Sequence, residues 1–292
     1  MPLILRTKLW KINKLLVPPS TRCSVHSSII LHNLAIMKVS VLLSLLGVSF
    51  QIVAAAPAKH QKAAESKPSV FLLAGDSTTA TQAANGGGWG DGFKNFTLKA
   101  PSFAINYGHN GATTSSFISG GDWATVLGKV EAYAGNSTVY VTIQFGHNDM
   151  KLTNYTETFK TNLRRMVADV KERNGEPVLV TSLSRRNYNA NGTIADTLAP
   201  WAGYAMEVAE ETETHYIDLW KNSVHYLEQI GQPASLKLAL NDNDRTHLNV
   251  PGSIVFGRMV SDLLKWEIPA IGEVVKENAT LSEQIWSGVA TF

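Results

Sequence analysis

The stretch VFLLAGDSTT, residues 70–79, decides the fold, because a wholly apolar run passes directly into a polar turn. A short apolar run that contains β-branched and aromatic side chains predicts a strand buried in a sheet. Similar runs recur along the chain, so the sequence predicts five strands. The other four cover Phe103 to Tyr107, Val139 to Phe145, Val178 to Leu183 and His215 to Leu219.

Helical patterns alternate with these strands, several of them after capping residues such as Asp122 and Asn154. Short crossovers between parallel strands are right-handed and return over the sheet. We therefore predict an α/β fold, a three-layer α/β/α sandwich around a five-stranded parallel sheet, with functional residues past the carboxyl ends of the strands. The predicted helices cover Gly92 to Leu98, Trp123 to Tyr133, Tyr155 to Arg173, Pro200 to Glu213 and Ser253 to Trp266.

The N-terminal region has the composition of a secretory leader. From Met37 the sequence shows a basic start, an apolar run and small residues at Ala54 to Ala56, which predicts a signal peptide over residues 37–56. We therefore predict that the protein is secreted and extracellular. A retained membrane anchor is the alternative, since the apolar run is barely long enough to cross a bilayer.

The rest of the chain is interpreted around this leader. Residues 1–36 are either a dispensable extension or a mis-assigned start, and residues 57–68 form a short linker. Residues 69–292 contain no repeat and no internal linker, which predicts a single domain.

Charge and cysteine content limit the possible functions. The first 56 residues carry six basic side chains and no acidic one, which leaves 20 basic against 24 acidic residues in the body. A mildly acidic body argues against nucleic-acid binding. The only cysteine, Cys23, lies in the N-terminal extension of residues 1–36, so no disulfide is expected in the mature chain. Five glycosylation sequons fit a secreted protein, at Asn95, Asn136, Asn154, Asn191 and Asn278.

Polar loops follow the first three predicted strands. Ser77 comes directly after the first strand, where its side chain and amide would face the mouth of the sheet, although Gly-Asp-Ser is also an ordinary turn with a helix cap. Gly111 lies in a glycine-containing turn that lets the backbone approach a ligand. Asn148 follows the third strand, where an isolated Gly-His-Asn-Asp would equally form a simple turn.

A carboxylate and an imidazole lie together near the C-terminus. Asp244 and His247 belong to one tight loop before the last predicted helix, so their side chains can reach each other. This is the pairing that a general base needs. Such a base would activate the hydroxyl of Ser77, which is a poor nucleophile while protonated.

Taken together, Gly75-Asp76-Ser77, Gly111, Gly146-His147-Asn148-Asp149 and Asp244-x-x-His247 resemble the four ordered blocks of the SGNH, or GDSL, hydrolases. The resemblance covers Val70 to Trp266 and implies a flavodoxin-like SGNH hydrolase fold. It also implies a catalytic triad and an oxyanion hole made by two backbone amides and one side-chain amide. The triad would be Ser77, Asp244 and His247, and the oxyanion donors Ser77, Gly111 and Asn148.

Within this superfamily, Gly88-Trp89-Gly90 and the Phe-Gly-His-Asn-Asp block resemble the rhamnogalacturonan acetylesterases. Gly111-Ala112-Thr113 departs from the Gly-Arg-Ser pattern of the second block, which puts acceptor preference in doubt. The resemblance implies a secreted esterase that removes acetyl groups from an acetylated plant polysaccharide. We expect a monomer without a metal or cofactor and without stable membrane association.

Two other functions stay open. A GDSL-type lipase or esterase on other acyl esters is the nearer one, although the loops contain small polar residues and no long apolar lid. A carbohydrate-binding homologue without activity is the other. Trp89 could stack on a sugar or pack in the core, and Arg185 and Arg186 could bind uronate carboxylates or lie in a solvated loop.

Overall fold

A computed structural model describes residues 67–292 of the chain. The predicted extension, the signal peptide and most of the linker lie outside the described residues. No helix in residues 67–292 is both long enough and apolar enough to cross a membrane.

Strands and helices alternate along the described chain. In chain order the strands are β1 Ser69–Gly75, β2 Thr81–Ala83, β3 Gly86–Gly87, β4 Phe103–Asn106, β5 Thr138–Gln144, β6 Glu176–Val180, β7 His215–Ile217 and β8 Leu248–Asn249. The helices are α1 Gly90–Phe96, α2 Thr114–Ser119, α3 Asp122–Ala134, α4 Thr156–Lys171, α5 Ala199–Glu211, α6 Leu219–Leu236, α7 Val250–Glu267 and α8 Ala279–Trp286.

The central sheet has five parallel strands in the order β4-β1-β5-β6-β7. Numbered along the chain, this is the flavodoxin-like order 2-1-3-4-5, with a switch point beside β1 where ligands bind in such folds. The predicted α/β class and all five predicted strands are confirmed. The helices are similar to those expected, but α2, α6 and α8 were not predicted.

Both faces of the sheet are covered, because alternate residues of a buried strand point to opposite sides. Phe71 and Leu73 of β1 pack in one apolar cluster with α1, α6 and α7. Val70 and Leu72 pack in a second cluster with α2, α3, α4 and α5. Burying each large apolar side chain contributes about 1.5–3 kcal/mol, so the two clusters hold the three layers together.

Close helix packing positions the start of α7. A Cβ at Gly92 of α1 would lie 1.8 Å from the Ser253 carbonyl oxygen, and one at Gly257 would lie 2.3 Å from the Phe93 nitrogen. The two helices therefore touch backbone to backbone. Asn249 caps α7 by accepting a hydrogen bond from the Gly252 amide.

A small antiparallel sheet, in the order β2-β3-β8, joins two distant parts of the chain. Gly87 of β3 pairs with Leu248 of β8. The segment just after Ser77 is thereby paired with the residue that follows His247. The sequence gives no pattern from which this pairing could be predicted.

Candidate active site

The loops predicted to carry function meet at one edge of the sheet. Ser77 follows β1, Gly111 follows β4 and Asn148 follows β5, and these three strands are neighbours. The site therefore lies at the carboxyl ends of the strands around the switch point, as expected for this topology.

Ser77, His247 and Asp244 form a continuous hydrogen-bonded row. His247 Nε2 lies 2.8 Å from Ser77 Oγ, and His247 Nδ1 lies 2.8 Å from Asp244 Oδ2. Ser77 is 7% exposed and His247 is partly exposed. This is the arrangement in which an imidazole can take a proton from a serine hydroxyl.

Asp244 is kept ionised by its surroundings. Its Oδ1 accepts the backbone amides of Thr246 and His247, each at 2.7 Å. Partial burial favours the neutral acid, but these hydrogen bonds and the contact with the His247 ring outweigh it, so the pKa of Asp244 is lowered. An ionised Asp244 accepts from Nδ1–H, which leaves Nε2 of His247 free to accept from Ser77.

The main chain of the Asp-His loop is fixed by contacts with His247. The His247 carbonyl accepts a hydrogen bond from the Leu240 amide at 3.0 Å and another from Nη2 of Arg186. The Arg186 side chain is fully buried, so its guanidinium does not contact solvent. The backbone amide of Arg186 donates to the Arg245 carbonyl at 2.7 Å. Burial lowers the pKa of Arg186 to about 10, so it stays charged.

This placement corrects one predicted role. Arg186 cannot bind a substrate carboxylate at the surface, because its guanidinium lies beneath the loop and supports His247. Arg185 and Arg186 are adjacent in the loop after β6, and the sequence alone does not distinguish which of the two side chains points inward.

The turn that carries Ser77 is held by a buried chain of polar side chains. Asp76 Oδ1 accepts from the Thr78 amide at 2.9 Å and from its hydroxyl at 2.7 Å. Gln144 Nε2 donates to the Thr78 hydroxyl at 2.7 Å, and Gln144 Oε1 accepts from Thr79 at 2.8 Å and from Trp89 Nε1 at 2.6 Å. The nucleophile turn is thus anchored to β5 and α1 from inside the core.

Trp89, Thr78 and Thr79 all belong to this buried hydrogen-bonded chain of side chains. Trp89 is fully buried, so the predicted sugar-stacking role is wrong and its alternative, core packing, is correct. Thr78 and Thr79 are among the small polar residues of the loops, yet both are fully buried. Their hydroxyls are tolerated inside because each finds a hydrogen-bond partner.

Three N–H groups in the loops that follow the neighbouring strands β1, β4 and β5 are candidates for an oxyanion hole. Within residues 67–292 the amides of Ser77 and Gly111 donate to no other group, and Gly111 adopts a φ of +78° that favours glycine. Asn148 Nδ2 donates to the Ala112 carbonyl at 3.0 Å, which leaves its second N–H. Lys151 Nζ donates to Asn148 Oδ1 at 2.8 Å and so fixes the orientation of the amide.

Asp149 ties the second and third loops together. Its Oδ1 accepts from the Thr114 amide at 2.9 Å and from the Thr114 hydroxyl at 2.7 Å, which holds the Gly111 loop against Asn148. Burial, partly offset by these hydrogen bonds, raises the pKa of Asp149 to about 6. The sequence indicated the block but not this role.

His147 is a second imidazole near Ser77, and it was not predicted to matter. It is 2% exposed, and its Nδ1 lies 3.7 Å from Asp76 Oδ2. Burial, with the Arg185 charge nearby, lowers the pKa of His147 to about 3, so it stays neutral at ordinary pH. Burial also raises the pKa of Asp76.

The open side of the site carries positive charge. Arg185 is partly exposed and its Nη2 donates to the His147 carbonyl oxygen at 3.4 Å, so its role in binding a ligand stays a prediction. Lys151 is exposed beside Asn148, and Arg245 is partly exposed in the Asp-His loop. Among residues 67–292 no three His, Cys, Asp or Glu side chains are grouped as metal ligands would be.

The fold and this row of side chains define a serine hydrolase on a flavodoxin-like α/β fold, in which an imidazole and a carboxylate assist the serine. The chain belongs to the GDSL-like lipase/acylhydrolase family, whose sequence profile matches residues 73–253. It is a carboxylic ester hydrolase, as the sequence predicted.

Similarity to individual proteins agrees with this family. The rhamnogalacturonan acetylesterase RhgT of Bacillus subtilis is 32% identical over 195 residues, covering 64% of this chain and 81% of that protein. The probable rhamnogalacturonan acetylesterase YesY of Bacillus subtilis is 27% identical over 219 residues, covering 71% and 98%. The crystal structure of Bacillus subtilis YxiM matches with a TM-score of 0.58 at 24% identity, covering 69% of this chain and 57% of that one.

Proposed function

We propose that the chain removes acetyl groups from an acetylated plant cell-wall polysaccharide, with rhamnogalacturonan as the preferred substrate. The observation that carries the proposal is the contact of His247 with Ser77 and Asp244, each at 2.8 Å, in a chain whose relatives include two rhamnogalacturonan acetylesterases.

In the proposed reaction, Ser77 Oγ attacks the carbonyl carbon of the acetyl group while His247 Nε2 accepts the hydroxyl proton. Asp244 holds the ring and stabilises the imidazolium that forms. His247 then gives the proton to the sugar oxygen, which leaves as an alcohol. The acetyl group stays on Ser77 as an ester until a water, deprotonated by His247, releases acetate and restores the serine.

The negative oxygen of each tetrahedral intermediate would be stabilised by three donors. We assign these to the amides of Ser77 and Gly111 and to Nδ2 of Asn148, in agreement with the free N–H groups described above. Such donors act where charge develops, so they lower the barrier more than they strengthen substrate binding. Lys151, by donating to Asn148 Oδ1, would further polarise the amide.

The cationic side chains in the loops of the site favour an acidic polymer as the substrate. Arg185 contacts His147, Lys151 contacts Asn148 and Arg245 belongs to the Asp244–His247 loop. Uronate carboxylates are the anionic groups of pectic polysaccharides that such cations would bind. Arg185 has the best position, since it lies next to His147 at the side of the oxyanion donors. A neutral polymer such as xylan would gain nothing from these charges.

Secretion is part of the proposal. It is supported by the leader pattern of residues 37–56 and by the sequons, whose five asparagines are all exposed. Glycosylation of any of them stays a prediction.

Acetate release from acetylated rhamnogalacturonan, homogalacturonan and xylan tests the substrate. We expect the highest kcat/KM on rhamnogalacturonan, and a rise in KM on it for Arg185→Ala with kcat retained. Chromogenic esters with acyl chains of two to eight carbons form the second series. Faster cleavage of the longer acyl chains would overturn the acetylesterase assignment in favour of a lipase, whereas the family assignment would stand.

A further inference from the structure

A cleft between α7 and α8 has the chemical features of a sugar-binding site. Its cavity volume is about 200 Å³, and its walls come from one face of each helix. Arg258, Asp262 and Trp266 follow each other at intervals of one helical turn on α7, and Trp286 faces them from α8. We call this region the α7–α8 cleft.

Two tryptophans form one wall of the cleft. Trp266 is 58% exposed, and its ring centroid lies 4.5 Å from that of Trp286 at an interplanar angle of 49°. Trp286 Nε1 donates to Asp262 Oδ2 at 2.9 Å, which fixes its orientation. The exposed ring of Trp266 therefore rests against an indole of fixed orientation, and such a pair is a suitable platform for the apolar face of a sugar ring.

The floor of the cleft offers polar groups to a ligand. Arg258 is only 3% exposed, and two of its nitrogens donate to the Lys276 carbonyl and the Ser261 hydroxyl, each at 2.8 Å. Its Nε has no hydrogen-bond partner within the described chain and lies 3.6 Å from Asp262 Oδ1. Arg258 and Asp262 both line the cleft, and guanidinium N–H groups and carboxylate oxygens are the donors and acceptors to which sugar hydroxyls bind.

The charges of the cleft balance each other. Arg258 faces Asp262, and Lys265 Nζ lies 3.6 Å from Glu277 Oε1. The cleft therefore holds no surplus charge with which to bind a polyanion, in contrast to the cationic surroundings of Ser77. An uncharged sugar with several hydroxyls fits this combination better than a uronate does.

We propose that the α7–α8 cleft binds a neutral sugar unit of a polysaccharide and anchors the enzyme to polymeric substrate. His247 precedes α7 and Trp266 lies near its end, and a helix of 18 residues spans about 27 Å, so the cleft is remote from the triad. Binding there raises the local concentration of ester groups around Ser77 without touching the reaction itself.

Trp266→Ala tests the proposal, because an exposed ring can be removed with little effect on folding. Affinity electrophoresis in gels containing a neutral galactan, with polygalacturonate gels in parallel, measures binding. We expect the Kd for galactan to rise about five- to tenfold and kcat/KM on a small soluble acetate ester to stay unchanged. Trp266→Phe should lose less. Phe292→Ala, which removes another exposed ring (57%), is the matched control and should bind as the parent does.

Asn278 also borders the cleft, so a glycan there must be removed from the comparison. Thr280→Ala abolishes the sequon and leaves Asn278 Oδ1 free to accept from the Leu281 amide at the start of α8. All variants are therefore compared in this background. The proposal is overturned if the Thr280→Ala chain is not retarded by galactan, or if Trp266→Ala is retarded as strongly as its parent.

A change of oligomeric state would also contradict the proposed sugar-binding role of the α7–α8 cleft. If sedimentation shows that Trp266→Ala converts a dimer into a monomer, the cleft is an interface between copies of the chain. The esterase activity is measured separately on the small ester and on rhamnogalacturonan, so failure of the proposed substrate leaves the galactan result unaffected.

Discussion

The two halves of the catalytic site are held in place by different kinds of contact. On the nucleophile side, buried side chains of Asp76, Thr78 and Gln144 form a hydrogen-bonded chain under Ser77. On the histidine side, the main chain of His247 is held, through its carbonyl and through the pairing of β8 with β3. Variants on the first side should therefore affect stability and activity together, whereas variants on the second can affect activity alone.

The largest effect should come from removing either reacting group. Ser77→Ala and His247→Ala should each lower kcat by roughly 10⁴- to 10⁶-fold, because the two side chains act as one unit. The double variant should lose little more. Acetate release from a chromogenic ester measures this, with thermal unfolding as the control for folding. Losses that multiply in the double variant would mean that the two halves act independently.

Asn148→Ala is expected to have the next largest effect. Loss of one oxyanion donor should lower kcat by roughly 100- to 1000-fold with little change in KM. Asn110→Ala, which removes an exposed amide from the neighbouring loop, serves as the matched control. Near-parental turnover of Asn148→Ala would contradict the assigned role.

Asp149 tests how much the contact between the Gly111 loop and the Asn148 loop contributes to stability. Its pKa of about 6 lies above the ordinary 3.8, so between these pH values the folded chain holds more protons than the unfolded chain. The contribution of Asp149 is fully present below about pH 4 and is lost as the pH rises through about 6. A shift of about two units corresponds to about 3 kcal/mol in the free energy of unfolding.

Asp149→Asn should remove this pH dependence, since an amide oxygen can still accept from Thr114. Urea unfolding of parent and variant at several pH values between 4 and 7 measures the difference. The lowered pKa of His147 acts in the opposite direction and is common to both proteins, so the difference isolates Asp149. A difference that does not change with pH would contradict the raised pKa.

Arg186→Met tests whether the contacts on the histidine side support activity without supporting stability. A buried guanidinium with unpaired nitrogens can be replaced by an apolar side chain of similar length at little cost in stability. Loss of its hydrogen bond to the His247 carbonyl should still lower kcat by roughly tenfold, about 1.4 kcal/mol. Equal melting temperatures with reduced kcat are the expected result. A large loss of stability would show that Arg186 supports the fold and not only the loop.

Strand positions and the four blocks could be predicted because they depend on local pattern. The apolar run that contains Phe71 and Leu73 has only one reasonable place in an α/β fold, and the polar turn after it follows from sheet topology. The missed helix α6 contains Gly231, which has a φ of +76°, and Pro233, so its pattern does not read as one helix.

The internal support of the site could not be predicted, since it depends on pairs of residues far apart in sequence. Gln144 and Thr78 are separated by 66 positions, and the direction of Arg186 relative to Arg185 depends on the Asp-His loop above it. From the sequence alone, a polar side chain such as Thr79 is expected to face solvent, because its hydrogen-bond partner in the core is not known. Sequence pattern indicates where the chemistry lies, whereas tertiary contacts decide what holds it.

The pairing of β3 with β8 also has a consequence for how the protein becomes active. Ser77 and His247 are 170 positions apart, so their contact closes the whole segment between β1 and α7 into one loop. Contacts of such long range form slowly, because the entropy of closing the loop is lost before the contact is gained. During refolding, esterase activity should therefore return later than helix content. Recovered activity then reports the last step of folding, in which the Asp244–His247 loop reaches the Ser77 turn.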